Sequence, residues 1–194
     1  MSASVLILNG AEASEPVLNR LADRVEAELG AQGVRVVRHD LAGETVAFCQ
    51  GCFECWVKTP GLCKADDAAQ GIASDLVHSD AVLMLSRIAF GCYAPTLKKA
   101  MDRLIPLVSP FFAMVEGETH HQKRYARYPA LFGVGLLMQP DPEQGQIFTE
   151  LVARNARNMY SPLQRAEVLE PGAEDAPGLA SRLLDMAELV RTCS

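Results

Sequence analysis

Val5-Leu-Ile-Leu8-Asn9-Gly10 is a short apolar run ending in an Asn-Gly loop signal, and Pro16 opens a helical pattern just behind it. An unbroken apolar run of this length reads as a strand buried on both faces. Val17, Leu18, Leu21, Val25 and Leu29 then recur at helical spacing, and Gly30 and Gly33 close the helix. A strand, a short loop and a helix in this order form the opening unit of a nucleotide-type doubly wound fold.

The same alternation continues outward. Val34–His39 reads as a second strand, Asp67–His78 as a helix, and Ala81–Leu85 as a third buried strand. A loop through Gly91 leads to a helix from Pro95 carrying Leu97, Met101, Leu104 and Ile105. Pro106–Tyr128 lacks clean periodicity and reads as an irregular excursion with a helical turn around Phe111. Ala130–Leu137 is a fourth strand, Pro142–Asn158 a helix, and Gln164–Leu169 a fifth strand. A Pro/Gly-rich turn over Pro171–Pro177 precedes a last helix through Val190. Five strands alternating with five helices predict an α/β fold: a three-layer, doubly wound, five-stranded parallel sheet. One domain spanning 1–194 is expected, with a Cys-rich insertion at 42–66 and an irregular arm at 106–128. The loops at 9–16, 40–66, 86–95 and 138–142 all leave the carboxyl edge of the sheet, where such folds bind ligands.

A chain of 194 residues, 49% hydrophobic and 22% charged, is an ordinary globular protein. Its net charge of −6 argues against a nucleic-acid partner. No apolar run approaches the roughly 18 residues of a membrane span, and Met1–Leu8 lacks the basic start of a signal peptide. A cytoplasmic location with no membrane partner is expected, and there cysteines stay reduced or bind metal.

Cys49-Gln-Gly-Cys52-Phe-Glu-Cys55 and Cys63 place four of the 6 cysteines in 15 residues, spaced C-x2-C-x2-C-x7-C. Thiols this dense suit a redox pair, a disulfide knot, a zinc site or an iron–sulfur cradle. Cysteines three apart in a tight loop can aim several thiolates at one compact centre, as a cubane cluster requires. Structural zinc usually takes two separated pairs, which fits the run less well. The competing reading is a set of metal-free thiols under a loop packed by Phe53 and Trp56. Pro60-Gly61 is a turn that brings Cys63 back toward the other three. Cys92 is either a small residue chosen for space or a redox thiol, and Cys193 near the C-terminus is read as inert.

Gly51-Cys52-Phe53, Cys55-Trp56, Lys58-Thr-Pro-Gly61, Cys63 and Asp66-Asp67 carry a resemblance, with Phe90-Gly91, Leu97-Lys98 and Asp102-Arg103. Over Val5 to about Leu169 the chain resembles the flavodoxin-like NAD(P)H-dependent FMN reductases, and within them the iron–sulfur flavoproteins. The resemblance implies a flavodoxin-like strand order of 2-1-3-4-5 and an oxidoreductase with FMN as cofactor and NAD(P)H as electron donor. It implies a four-iron cluster on Cys49, Cys52, Cys55 and Cys63, and a cofactor crevice lined by Asn9, Gly10, Ser14, Ser86, Arg87, Phe90, Gly91 and Cys92. A homodimer or homotetramer, and a redox partner protein or small-molecule acceptor, are implied as partners.

The chain departs from that pattern at its first loop. Family members carry hydroxyls, amides and an arginine there, and these receive the FMN phosphate with the helix N-terminus. Here the stretch is Gly10-Ala-Glu-Ala-Ser-Glu-Pro16, with Ser14 its only hydroxyl. A carboxylate ~4–5 Å from a like charge, at an effective dielectric near 20, costs roughly 3–4 kcal/mol. Arg87 either meets a phosphate from a new direction or pairs with Glu12 or Glu15. The family's Pro-Val-Tyr and Gly-rich flavin loop are replaced by Arg87-Ile-Ala89 and Met138-Gln-Pro-Asp141. The alternative function is therefore a non-flavin protein on the same scaffold, capturing a metal or a partner. Finally, Gly117–Tyr128 combines His120, His121, three basic residues and two tyrosines. It reads as a solvated or dimer-forming loop, with a nicotinamide-binding lid as the sharper option.

Overall fold

The computed structural model describes residues 2–173 and 176–192, so Cys193 and part of the Pro171–Pro177 turn lie outside the described residues. Strand β1 (Ser4–Asn9) is buried along its whole length. Helix α1 (Pro16–Ala31) has proline in its first turn, where no backbone donor is lost, and buries Leu18, Leu21, Ala22, Val25 and Leu29. Each large apolar side chain on that stripe contributes about 1.5–3 kcal/mol.

The chain continues through β2 (Arg35–Asp40), α2 (Glu54–Val57), α3 (Ala68–Val77), β3 (Ala81–Ala89), β4 (Cys92–Tyr93) and α4 (Pro95–Asp102). A 3-10 turn (Ile105–Leu107), β5 (Val108–Val115), β6 (Glu118–Lys123), β7 (Ala130–Leu136), α5 (Pro142–Asn158), β8 (Gln164–Leu169) and α6 (Leu179–Thr192) complete it. The main path of the sheet is β2-β1-β3-β7-β8. All four pairings along it are parallel, with Val5 opposite Val36 and Ala81, and Leu131 opposite Val82 and Gln164. This is the doubly wound, flavodoxin-like order expected from the sequence.

Two apolar cores flank the sheet. α1 and α6 cover one face with Leu18, Leu21, Leu29, Leu179 and Leu183 packed on Val5, Ile7, Leu83 and Phe132. α3, α4 and α5 cover the other, where Ile72, Leu76, Leu97, Phe148 and Val152 pack on Leu6, Leu8, Val82 and Leu131. No described helix is long and apolar enough to cross a membrane.

Two expectations need correction. The third strand runs past Leu85 to Ala89, turns at Phe90-Gly91 and returns as β4, pairing Ala89 with Cys92 and Ile88 with Tyr93. Phe90 and Gly91 have φ of 53° and 73°, the paired left-handed conformations of a primed hairpin turn. The arm at 106–128 is not irregular. β5 and β6 form an antiparallel hairpin joined at Glu116-Gly117, with φ of 51° and 83°. Phe111 therefore lies in a strand and not in a helical turn.

Candidate functional site

The carboxyl edge of the sheet presents two features side by side: the loop between β1 and α1, and the cysteine loop between β2 and α3. The first lies at the β1/β3 switch point, where a doubly wound sheet opens its ligand crevice.

That loop is closed on itself. Gly10 N–H donates to the Leu85 carbonyl at 2.8 Å, and Ala11 N–H to Asn9 Oδ1 at 3.2 Å. A Cβ on Gly10 would lie 2.7 Å from Leu97 Cβ and 2.9 Å from the Leu85 oxygen, so only glycine lets α4 approach β1 here. Glu15 stands at the α1 N-cap, buried to 5% exposure. Its Oε1 meets Arg87 Nε at 2.9 Å, and its Oε2 accepts the Glu12 N–H at 2.9 Å. The Glu12 carboxylate in turn accepts the Thr96 hydroxyl. Of the two roles open to Arg87, the salt bridge to Glu15 is the one found. The Glu12 amide and Arg87, donors beside the head of α1, are thus held by Glu15, and with two carboxylates on it this loop does not fit a phosphate dianion.

The other expected cofactor residues are placed as follows. Asn9 is buried and donates to Asn19 Oδ1 and Asp40 Oδ1, both at 2.8 Å. Ser86 is fully buried, donating to the Arg87 carbonyl at 2.7 Å and accepting the Ala94 N–H at 2.8 Å. Both serve the fold. Ser14 is exposed, while Phe90 reaches solvent with 97% of its surface accessible. Gly91 N–H donates to Gln144 Oε1 at 3.2 Å, which ties the β3–β4 turn to α5, and Cys92 is half-buried beside it.

The cysteine loop is organised by a buried ion pair. Arg103, 2% exposed, reaches Asp67 through Nη1 to Oδ2 at 2.8 Å and Nη2 to Oδ1 at 3.0 Å. Arg103 Nη1 also donates to the Ala47 carbonyl at 2.9 Å. Burial pushes the Asp67 carboxyl up, but the Arg103 bonds and the Ala47 and Ala69 amides outweigh it and hold the group below its ordinary range. Gly61 N–H donates to the Cys55 carbonyl at 3.0 Å, turning the chain so that Cys63 comes back to the other thiols. Cys49, Cys52, Cys55 and Cys63 all line one cavity of about 250 Å³, with Lys64, Arg103, Phe48 and Phe53.

Cys49 and Cys52 are exposed, Cys63 is half-buried and Cys55 is buried. Burial, then the charge of the neighbouring cysteines, pushes the Cys55 thiol up. Lys64 and Arg103 line the same cavity, so two cations stand with the four thiols. Arg103 Nε is buried with no hydrogen-bond partner. Among the described residues, no group of three or more His, Cys, Asp or Glu is gathered tightly enough to hold a metal ion. The thiols share a cavity wall without converging on a point.

The hairpin arm packs against this loop. Trp56 Nε1 donates to the Val108 carbonyl at 2.9 Å, and its ring stacks on Phe53 with centroids 5.1 Å apart. His121 lies between Trp56 and Phe112, with centroids 4.7 and 4.8 Å away. His120 is buried and bonded to Asn158 at 2.9 Å and Glu118 at 3.1 Å. Neither histidine lines the cysteine cavity. Phe111 and Phe112 are 67% and 64% exposed, so they are not core residues. The Arg103–Asp67 pair was not anticipated as a unit, since its partners lie far apart in the chain and only the fold joins them.

No curated protein sequence matches this chain. Among solved structures, it is similar to an NAD(P)H:quinone oxidoreductase from Methanothermobacter marburgensis, at 13% identity and TM-score 0.63, covering 100% of each chain. An azoreductase from Bacillus anthracis strain Sterne superposes with TM-score 0.62 at 13% identity, covering 99% of this chain and 100% of that one. An FMN-dependent NADH-azoreductase from Bacillus anthracis strain Ames Ancestor, in complex with FMN, gives TM-score 0.55 at 11% identity, covering 100% and 99%. At these identities the likenesses establish the fold. The family is established by sequence: the model for NADPH-dependent FMN reductase matches residues 3–135. The chain belongs to the NADPH-dependent FMN reductase family, whose cofactors are FMN and NAD(P)H, and is an NAD(P)H-dependent flavin oxidoreductase.

Proposed function

We propose that this oxidoreductase carries a second redox centre, an iron–sulfur cluster held by Cys49, Cys52, Cys55 and Cys63, and serves an electron acceptor at that face. The observation that carries this reading is the shared cavity: all four thiols line it. When bound, such a cluster supplies one-electron transfer. The chain's own residues do the rest. Arg103 and Lys64 place positive charge against the thiolates that a cluster needs. Trp56 and Phe53 stack into a wall that shields one side from water, and the hydrogen bonds of Trp56 to the Ile105 and Val108 carbonyls hold that wall in place.

The acceptor is a small molecule or a redox partner protein, and the chain is a cytoplasmic dimer or tetramer. The exposed Phe111, Phe112 and Met114 of the hairpin support the assembly, because a monomer rarely leaves such a row in water. Steady-state turnover tests the electron-transfer reading. With NADPH and flavin supplied, Cys63→Ala is expected to slow reduction of ferricyanide, a one-electron acceptor, more than reduction of benzoquinone, a two-electron acceptor. Equal effects on both, or none on either, would overturn it.

A further inference from the structure

An anion belongs at the head of α1. The loop there emerges at the β1/β3 switch point, and it leads into a 16-residue helix whose positive end lies at that edge of the sheet. The anion found there is Glu15, which stands at the N-cap and bonds the loop and Arg87 instead of the helix amides. Its carboxylate is 5% exposed and bridges Arg87 Nε and the Glu12 N–H, both at 2.9 Å. A carboxylate offers two oxygens to two donors, which is the geometry in which one end of a phosphate would be received.

We propose that Glu15 is a built-in substitute for the cofactor phosphate, so that the crevice takes flavin without its phosphate in preference to FMN. The inference rests on the assignment of the chain as a flavin oxidoreductase, and it concerns which flavin.

Three observations bear on it. First, Arg87 is the cation beside Glu15, and that carboxylate already neutralises it. Second, Glu12 stands on the same loop, exposed, with its carboxylate on the Thr96 hydroxyl. Together the three side chains leave one negative charge in excess, and a phosphate dianion would be repelled by it. A neutral flavin meets no such opposition. The terminal hydroxyl of its ribityl chain is a donor, and the exposed Glu12 carboxylate is an acceptor in the position where the phosphate would have been refused. Third, four loop amides have partners already, Gly10 with Leu85, Ala11 with Asn9, and Glu12 and Glu15 with each other, so a phosphate could not recruit these without breaking those bonds.

Fluorescence-quenching titrations of the full chain with riboflavin and with FMN test the proposal, in the wild type and in Glu15→Gln and Glu15→Ser. Glu15→Gln keeps the shape and removes the charge, and circular dichroism confirms the fold of each variant. The wild type is expected to bind riboflavin at least as tightly as FMN. Both substitutions are expected to move the FMN-to-riboflavin preference toward FMN by about tenfold or more, since each removes a like charge. A wild type that prefers FMN by about tenfold, a preference unchanged by either substitution, or no binding of either flavin by any form would overturn the proposal. Iron content measured on the same samples keeps the two readings apart. Iron-free protein with the expected flavin preference removes the cluster and leaves this inference standing.

Discussion

Arg103 grips Asp67 through two nearly parallel hydrogen bonds of 2.8 and 3.0 Å, and both side chains are withdrawn from water, at 2% and 7% exposure. Asp67 caps α3 by accepting the Ala69 N–H at 3.0 Å, and it also takes the Ala47 N–H at 3.0 Å. One carboxylate thereby joins the end of α4, the start of α3 and the entry to the cysteine loop.

Breaking this pair leaves a buried charge alone, and Arg103→Met is expected to destabilise the chain by about 3–5 kcal/mol. Urea unfolding followed by circular dichroism reads the loss. Asp67→Asn removes the charge and is expected to change the pH dependence as well. Because the folded Asp67 carboxyl is held below its ordinary value, its contribution is fully present above about pH 4 and is lost as pH falls through the folded value. The acid limb of the stability curve should be shallower in Asp67→Asn than in the wild type.

The cysteines differ in accessibility, and alkylation should sort them. Cys49 and Cys52 are exposed, whereas Cys55 is buried and its thiol is pushed up by that burial. Iodoacetamide followed by peptide mass spectrometry is expected to label Cys49 and Cys52 first and Cys55 last. After anaerobic loading with iron and sulfide, all four are expected to be protected. Uniform labelling of the unloaded protein would show that the loop does not hold the arrangement described.

Phe90 sits in the left-handed region at φ 53° with its ring 97% exposed. Neither choice favours the fold, since a bulky residue there costs about 1–2 kcal/mol and the ring buries little. Phe90→Asn is expected to raise the melting temperature. A fall in turnover in the same variant, at saturating NADPH, would assign the ring to ligand or acceptor contact.

Glu118 gathers Arg154 at 2.8 Å, Arg157 at 3.1 Å and His120 at 3.1 Å, fastening β6 to α5. Hydrogen bonds from Arg154, then from Arg157, lower its carboxyl to about 2. The lowered value means that this fastening persists above the ordinary carboxylate range and is lost only as pH falls toward about 2. Glu118→Ala is expected to speed hydrogen exchange in β5 and β6 while the melting temperature shifts little, because the pair is partly exposed to solvent.

Much of this fold was legible in the residues. The apolar runs at Val5–Leu8, Ala81–Leu85 and Ala130–Leu137 could be strands only in a sheet covered on both faces, and the helices between them set the order. The charge conflict at Glu12 and Glu15 was legible too, as was a pairing with Arg87. The hairpin was not. Val108-Ser-Pro-Phe-Phe-Ala-Met-Val115 contains a proline and adjacent phenylalanines, so it shows no alternation, and its strands pair with each other outside the main sheet. Glu116-Gly117 was the available signal, a glycine between two short runs. The extension of β3 to Ala89 was hidden for a different reason. Arg87 reads as a loop residue until its partner Glu15, 72 positions earlier in the sequence, is placed beside it.

Iron and acid-labile sulfide, counted per chain in protein purified without oxygen, test most directly whether the cysteine cavity is a redox centre. About four of each are expected in the wild type, and their loss in Cys55→Ala and Cys63→Ala with the fold retained. Iron-free wild type after anaerobic reconstitution, or equal iron in the variants, would contradict it.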